Sequence, residues 1–224
     1  VIHDVAIQDL PVVMCLDRGG LVGEDGVTHH GVFDMAAFGA VPGLTIAAPM
    51  NEPELRNMMY TALGSGHPFM IRYPRGHGEG LPWRGEKFET LPVGRGRRLR
   101  EGADVALLTV GTVGNAAARA AGRAAAEGVS VAHYDLRFVK PLDEALLDEV
   151  GRKFRRVVTV EDGSLRGGVG EAVAAFFNGR GYDVRVQRLG IGDEWVEHGT
   201  PGQLYALCGY DEEGILRALL DTRA

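Results

Sequence analysis

Short apolar runs and longer stretches of mixed character take turns along the chain, and their lengths sort them. "PVVMCLD" (11–17), "LTIAAP" (44–49) and "PFMIRYP" (68–74) are too short for helices and are bounded by proline or polar residues, which predicts three buried strands. Between the first two, "FDMAAFGAV" (33–41) has the spacing of a short helix. "NEPELRNMMYTALGSG" (51–66) carries full helix punctuation, with an asparagine to accept free backbone N–H groups, a proline in the first turn and glycine at the end. The opening "VIHDVAIQ" reads as the last two turns of another helix. Strands separated by helices imply parallel pairing, because a parallel neighbour needs a long crossover connection.

Periodicity then fails. Residues 74–94 are rich in Gly, Pro and charge and read as a linker. A second alternating series follows, with strands at 103–111, 129–137, 155–162 and 183–190, and helices at 113–127, 142–154, 168–178, near 201–208 and at 211–221. "GRGRRLREG" (94–102), just ahead of it, reads as an edge strand or a solvated turn. The pattern is that of an α/β protein with two three-layer α/β/α units, the second built on a mostly parallel sheet.

Charge and composition narrow the partners. Thirty acidic against 24 basic residues leave a net charge of −6, which argues against nucleic acid. The apolar run "VALLTV" (105–110) is strand-sized, so no membrane partner is expected. Cys15 and Cys208 lie far apart in or beside apolar segments and are expected as buried thiols in a reducing cytoplasm. A chain that opens inside a helix at Val1 is expected to continue upstream, cut within a domain.

Candidate chemistry concentrates in "EDGVTHHG" (24–31). A metal site is disfavoured, because adjacent histidines in extended chain project to opposite sides and no further ligands stand at a recognisable spacing. A plain turn is a ready alternative, with Asp25-Gly26 supplying the bend and Thr28 bonding locally. Position favours a site. Ligands of open parallel sheets bind beyond the carboxyl ends of strands. Segment 18–31 leaves the end of strand 11–17, and Arg75 leaves the end of strand 68–74. Arg18 and Arg75 therefore face one rim, where two guanidinium forks suit a phosphorylated substrate. For Arg72 a surface ion pair is an equally ready explanation.

At this point the residues fit a known pattern. "HDVAIQDLPVVMCLDRGGLVGEDGVTHHGVFD" (3–34) and "IRYPRG" (71–76) resemble the pyrimidine-binding domain of the 1-deoxy-D-xylulose-5-phosphate synthase family, thiamine-dependent relatives of transketolase. "LPVGRGRRLREGADVALLTVG" (91–111), "DLRFVKPLDEALL" (135–147), "VVTVEDGSLRGGVGEAV" (157–173) and "EHGTPGQLYALCGYDEEGI" (197–215) carry the resemblance through the rest of the chain. It implies the C-terminal part of a pyrimidine-binding domain at 1–76, a linker at 77–93 and a transketolase-type C-terminal domain at 94–224.

The resemblance also implies a reaction. The family condenses pyruvate with glyceraldehyde 3-phosphate, releasing carbon dioxide, and uses thiamine diphosphate and Mg2+ as a homodimer. Carried over by motif, Arg18 and Arg75 grip the aldehyde's phosphate, while Asp25 and His29 contact its hydroxyl and carbonyl. His29 can donate to a developing alkoxide; Asp25 can accept from the hydroxyl or hold the imidazole, and both roles stay open. His30 receives no role. Glycine at 19, where the family pattern has alanine, is expected to loosen the loop slightly. The family's "GDG…N" motif for diphosphate and metal has no counterpart; "GDE" at 192–194 is not equivalent. Cofactor and metal are thus expected on the N-terminal part of the same enzyme, and this chain alone is expected to be silent.

Other readings compete. A fragment of transketolase or of a 2-oxoacid dehydrogenase beta subunit fits less well with "RYPRG". A non-catalytic dimerisation module would leave Arg18, Asp25, His29 and Arg75 unexplained. Glu161-Asp162 before "GSLRGGVG" lacks the GK[ST] ending of a phosphate loop and reads as a strand-to-helix turn. His3, His133 and His198 are expected to be structural, His77 could line a cleft mouth, and Met58-Met59 belong to a core-facing helix.

Overall fold

Asn51 does what its position predicts: its side chain accepts the Glu54 N–H at 3.1 Å and starts a helix. The computed structural model in which this is seen describes residues 1–221; the last three residues of the expected 94–224 unit lie outside it. The first part of the chain forms β1 (Val13–Leu16), α1 (Asp34–Gly39), β2 (Thr45–Ala47), α2 (Glu52–Leu63) and β3 (Phe69–Arg72). The second series is β4 (Arg97–Arg100), β5 (Val105–Val110), α3 (Val113–Ala126), β6 (Val131–Asp135), β7 (Phe138–Lys140), α4 (Glu144–Lys153), β8 (Arg156–Ser164), α5 (Val169–Gly179), β9 (Arg185–Ile191), α6 (Pro201–Leu207) and α7 (Glu212–Leu220).

Two mostly parallel sheets result, with strand orders β1-β3-β2-β7 and β4-β6-β5-β8-β9. In the first, Met58 and Ala62 of α2 cover Phe69 and Ile71. Val41 and Leu44 pack with Ile46 and Met70 on the other face. In the second, Ala117, Ala120, Ala121 and Ala124 form a small-residue stripe on α3 that lies against Leu107, Val158 and Val160. Leu147 and Val150 of α4 and Val173 and Phe177 of α5 cover Ala106, Leu108 and Val157.

The predicted strand 129–137 is shorter, ending with β6 at Asp135, and β7, which was not predicted, follows at 138–140. Arg137 takes a left-handed φ of 59° and its N–H turns back to Asp135 Oδ1 at 3.0 Å, so β6 ends. The chain then crosses to the first sheet, where β7 pairs antiparallel with β2, Ala47 opposite Phe138. The opening residues form a single π-helical turn, Ile2–Ala6, with no buried residue. Cys15 is exposed rather than buried, because β1 is an edge strand and the cluster under α2 reaches Val13 but not Cys15; Cys208 is partly buried. The aperiodic stretch after β3 is docked. Arg56 of α2 donates to the carbonyl oxygens of Trp83 (2.5 Å), Glu86 (3.2 Å) and Lys87 (2.8 Å), and Leu91 is buried with its N–H on Thr61 Oγ1.

A buried ionic cluster joins α2 to the second sheet. Glu54 accepts from Arg97 Nη1 (2.8 Å) and from Arg137 Nε and Nη2 (2.8 and 2.9 Å), and Arg97 also reaches Asp135 Oδ2. Burial pushes the Asp135 carboxyl up to about 6, against the pull of Arg97. Among the described residues no helix is long and apolar enough to cross a membrane.

Candidate functional site

The 18–31 loop leaves β1 through Arg18, whose φ of 58° turns the chain sharply. Gly19 N–H is held by the Tyr73 carbonyl at 2.9 Å, just past β3. The loop closes on itself where Gly20 and Gly31 exchange N–H···O bonds of 2.7 and 2.9 Å. Gly20 must be glycine: its φ is 87°, and a Cβ there would stand 1.9 Å from Asp162 Oδ2. Between these ends, Gly26 N–H bonds the Gly23 carbonyl and His29 N–H bonds the Gly26 carbonyl, two successive turns. The bend expected at Asp25-Gly26 is therefore real, and it presents a charged side chain.

That side chain is Asp25. Its Oδ2 lies 2.9 Å from Arg75 Nη1 and 3.8 Å from Arg18 Nη2. Arg18 and Arg75, which leave different strands, thus converge on one carboxylate oxygen at the carboxyl rim of the sheet. All three side chains are partly open to solvent, at 41% for Arg18, 50% for Arg75 and 30% for Asp25, so a ligand can reach them. Counted together, these two guanidiniums and one carboxylate carry a single positive charge, which favours an anion at the cluster.

His29 is placed differently from those three. Its Nδ1 shares a 2.9 Å hydrogen bond with Thr28 Oγ1, and among the described residues it makes none to Asp25, Arg18 or Arg75. His77 is exposed in the segment that follows Arg75.

Some supporting residues were missed or misplaced in the sequence. Arg72 is buried at 4% exposure instead of lying in a surface pair: Nε donates to Asp34 Oδ2 at 2.6 Å and Nη2 to the carbonyls of Gly31 (3.1 Å) and Asp162 (3.0 Å). An arginine at the end of a wholly buried four-residue strand was the available signal. His30 has a structural task. Its Nδ1 accepts the Val22 N–H at 3.1 Å, which makes Nε2 the protonated nitrogen facing the Glu197 carbonyl at 3.5 Å. Glu161 accepts the N–H groups of Val169 and Gly170, each at 2.8 Å, so "EDGSLRGGVG" is the strand-to-helix turn its spacing suggests. Among the described residues, no group of three or more His, Cys, Asp or Glu is placed to hold a metal ion.

Residues 1–79 match the transketolase pyrimidine binding domain, and residues 94–215 match the transketolase C-terminal domain. The chain belongs to the transketolase family. It is 58% identical over 225 residues to the 1-deoxy-D-xylulose-5-phosphate synthase of Bacteroides fragilis, covering 100% of this chain and 35% of that protein. With the enzyme of the same name from Bacteroides thetaiotaomicron the identity is 57% over 222 residues, covering 98% and 34%. The chain therefore spans about a third of the length of these curated relatives. A solved transketolase-family structure, a split gene transketolase in an inactive beta4 tetramer, is similar at a TM-score of 0.83 and 26% identity, over 97% of this chain and 68% of that one. The transketolase match runs through both sheets, so the Arg18–Asp25–Arg75 cluster sits in the pyrimidine-binding part and the Asp162 turn in the C-terminal part.

Proposed function

We propose that this chain is the C-terminal portion of a 1-deoxy-D-xylulose-5-phosphate synthase, with units at 1–76 and 94–224 joined by 77–93, and that it holds the acceptor aldehyde. The observation that carries this reading is the convergence of Arg18 and Arg75 on one oxygen of Asp25 at the strand-end rim. The high identity to synthases of that name supports it. The substrates are pyruvate and glyceraldehyde 3-phosphate, and the enzyme is a cytoplasmic homodimer completed by the N-terminal part of the same protein.

The family's diphosphate and metal motif has no counterpart in this chain's sequence, and among the described residues no group of three or more His, Cys, Asp or Glu is placed to hold a metal ion. Thiamine diphosphate and Mg2+ are proposed to be held mainly by the rest of the enzyme, where the cofactor would supply a two-carbon nucleophile. The residues of this chain act on the acceptor. A phosphate carrying about −1.5 to −2 charges is drawn to the two guanidiniums and fixes the aldehyde's distance and direction. His29, exposed on the same loop, donates to the carbonyl oxygen as negative charge develops there, and Asp25 accepts from the neighbouring hydroxyl.

The deciding experiment uses the full-length enzyme with pyruvate and either glyceraldehyde 3-phosphate or unphosphorylated glyceraldehyde. A preference of about a hundredfold or more for the phosphorylated acceptor, lost when Arg18 and Arg75 are both changed to alanine, is expected. Equal use of the two aldehydes would remove the reading. The isolated chain is expected to show no turnover, and measurable synthesis by it would contradict the division of labour.

A further inference from the structure

The loop that carries Arg18, Asp25 and His29 is not held by its own sheet alone. Leu21, buried near its start, donates its N–H to Asp162 Oδ1 at 3.0 Å, and Asp162 lies on β8 of the second sheet. Gly20 packs so closely on the same carboxylate that only a glycine fits. The carboxylate is itself aimed by two tyrosines, Tyr210 O–H to Oδ1 at 2.7 Å and Tyr205 O–H to Oδ2 at 3.4 Å. At the far end of the loop, Arg72 joins the Gly31 carbonyl to the Asp162 carbonyl, and Ser164 N–H bonds the Val32 carbonyl at 2.9 Å. Both ends of the loop therefore meet the same turn of β8.

Leu21, Arg72 and Asp162 are exposed by only 1%, 4% and 3%. Apolar packing would join two sheets without the desolvation that buried charges demand. Directional bonds to both ends of a loop do something packing cannot: they set its height and register over the sheet.

We propose that Asp162 is a positioning residue for the acceptor site: its carboxylate fixes the start of the 18–31 loop at Leu21, its backbone carbonyl meets Arg72 beside Gly31 at the other end, and the spacing of Arg18, Asp25 and Arg75 follows. This rests on the acceptor-binding reading above. It gives the C-terminal domain a part in substrate recognition although none of its residues is assigned to the substrate.

The test uses Asp162→Ala and Asp162→Asn in the full-length enzyme, with hydrogen–deuterium exchange read beside the kinetics. In the alanine variant, KM for glyceraldehyde 3-phosphate is expected to rise about tenfold to a hundredfold, while KM for pyruvate stays within about twofold. Exchange across 18–31 is expected to quicken about tenfold, with α2 unchanged. The asparagine variant keeps an oxygen for the Leu21 N–H and should return KM to within about threefold of wild type. Equal rises in both KM values without faster loop exchange, or an alanine variant identical to wild type, would overturn the proposal. Should the alanine variant not fold, wild-type enzyme still decides: a Leu21 amide exchanging as fast as those of 24–29 counts against it, and a protected one supports it. Should the enzyme not use glyceraldehyde 3-phosphate, the functional reading fails by itself, and loop exchange in the asparagine and alanine variants still reports on Asp162.

Discussion

Arg75 and Asp25 stand 50 residues apart in sequence and 2.9 Å apart in space, and Arg18 comes to within 3.8 Å of the same carboxylate oxygen. One carboxylate thus serves two guanidiniums that the proposed acceptor phosphate also needs. On the proposed reading, substrate anion and Asp25 would compete for the arginines, the aspartate holding them in place and limiting how tightly an anion binds.

That competition predicts a split in the kinetics of Asp25→Asn. Removing the charge frees both arginines, and inorganic phosphate should bind about threefold to tenfold more tightly, measured by calorimetry on the full-length enzyme. Turnover should fall by a larger factor, because the hydroxyl contact is weakened. Weaker phosphate binding in the variant would show that Asp25 organises the arginines more than it opposes the ligand.

Arg75→Ala removes one phosphate partner. A charge-assisted hydrogen bond is worth roughly 1.5–3 kcal/mol, so kcat/KM for glyceraldehyde 3-phosphate should drop about tenfold to a hundredfold. Unphosphorylated glyceraldehyde should be affected by less than about twofold. Equal losses for the two aldehydes would place Arg75 outside the phosphate site.

The Glu54 cluster governs stability. Glu54→Ala leaves Arg97 and Arg137 facing each other around a buried gap, and unfolding free energy should fall by about 3 kcal/mol in urea titration. Glu54→Gln, which still accepts hydrogen bonds but carries no charge, should lose about half as much. Wild-type stability in either variant would mean that the arginines find water or other partners.

His133 sets a dependence on pH. It is buried, with Nε2 on Thr109 Oγ1 at 2.9 Å, and burial together with Arg100 and Arg97 lowers its pKa to about 4. Between pH 6.5 and 4 the unfolded state therefore binds more protons at this site, and stability falls as pH falls, by about 3 kcal/mol across the window. Asp135 works against it: its pKa is raised to about 6, so the folded state holds the extra proton there and gains stability on acidification. The His133 share is isolated by comparison with His133→Gln. The variant should gain on wild type steadily from pH 6.5 to 4, read from urea midpoints, and a constant difference between the two proteins would contradict the assignment.

Local chemistry was legible in the sequence, and contacts across the fold were not. The Asn51 cap and the bend at Asp25-Gly26 depend on near neighbours, and each is found where its spacing places it. The facing of Arg18 and Arg75 could be read because parallel strands send their following loops to one rim. Arg72 and Asp162 could not be read as a pair, since 90 residues separate them, and an arginine closing an apolar run marks its own burial but not its partner. His30 went unassigned for the same reason: its second partner, Glu197, is 167 residues away. Cys15 was misplaced because an apolar run reveals a strand but not whether that strand lies at a sheet's edge.

The three residues of β7 carry a consequence for how this chain can be divided. They come from the second alternating series yet are woven into the first sheet beside β2. A protease that nicks the exposed stretch after Arg75 would leave one particle, because the pieces remain stitched by backbone hydrogen bonds and by Glu54. A separately expressed piece starting at 94 would instead carry Phe138–Lys140 as a loose thread, with a backbone edge seeking any strand to pair with. Such a piece should clump, and the covalent join between the two sheets then serves less as a tether than as protection from the company of its own copies.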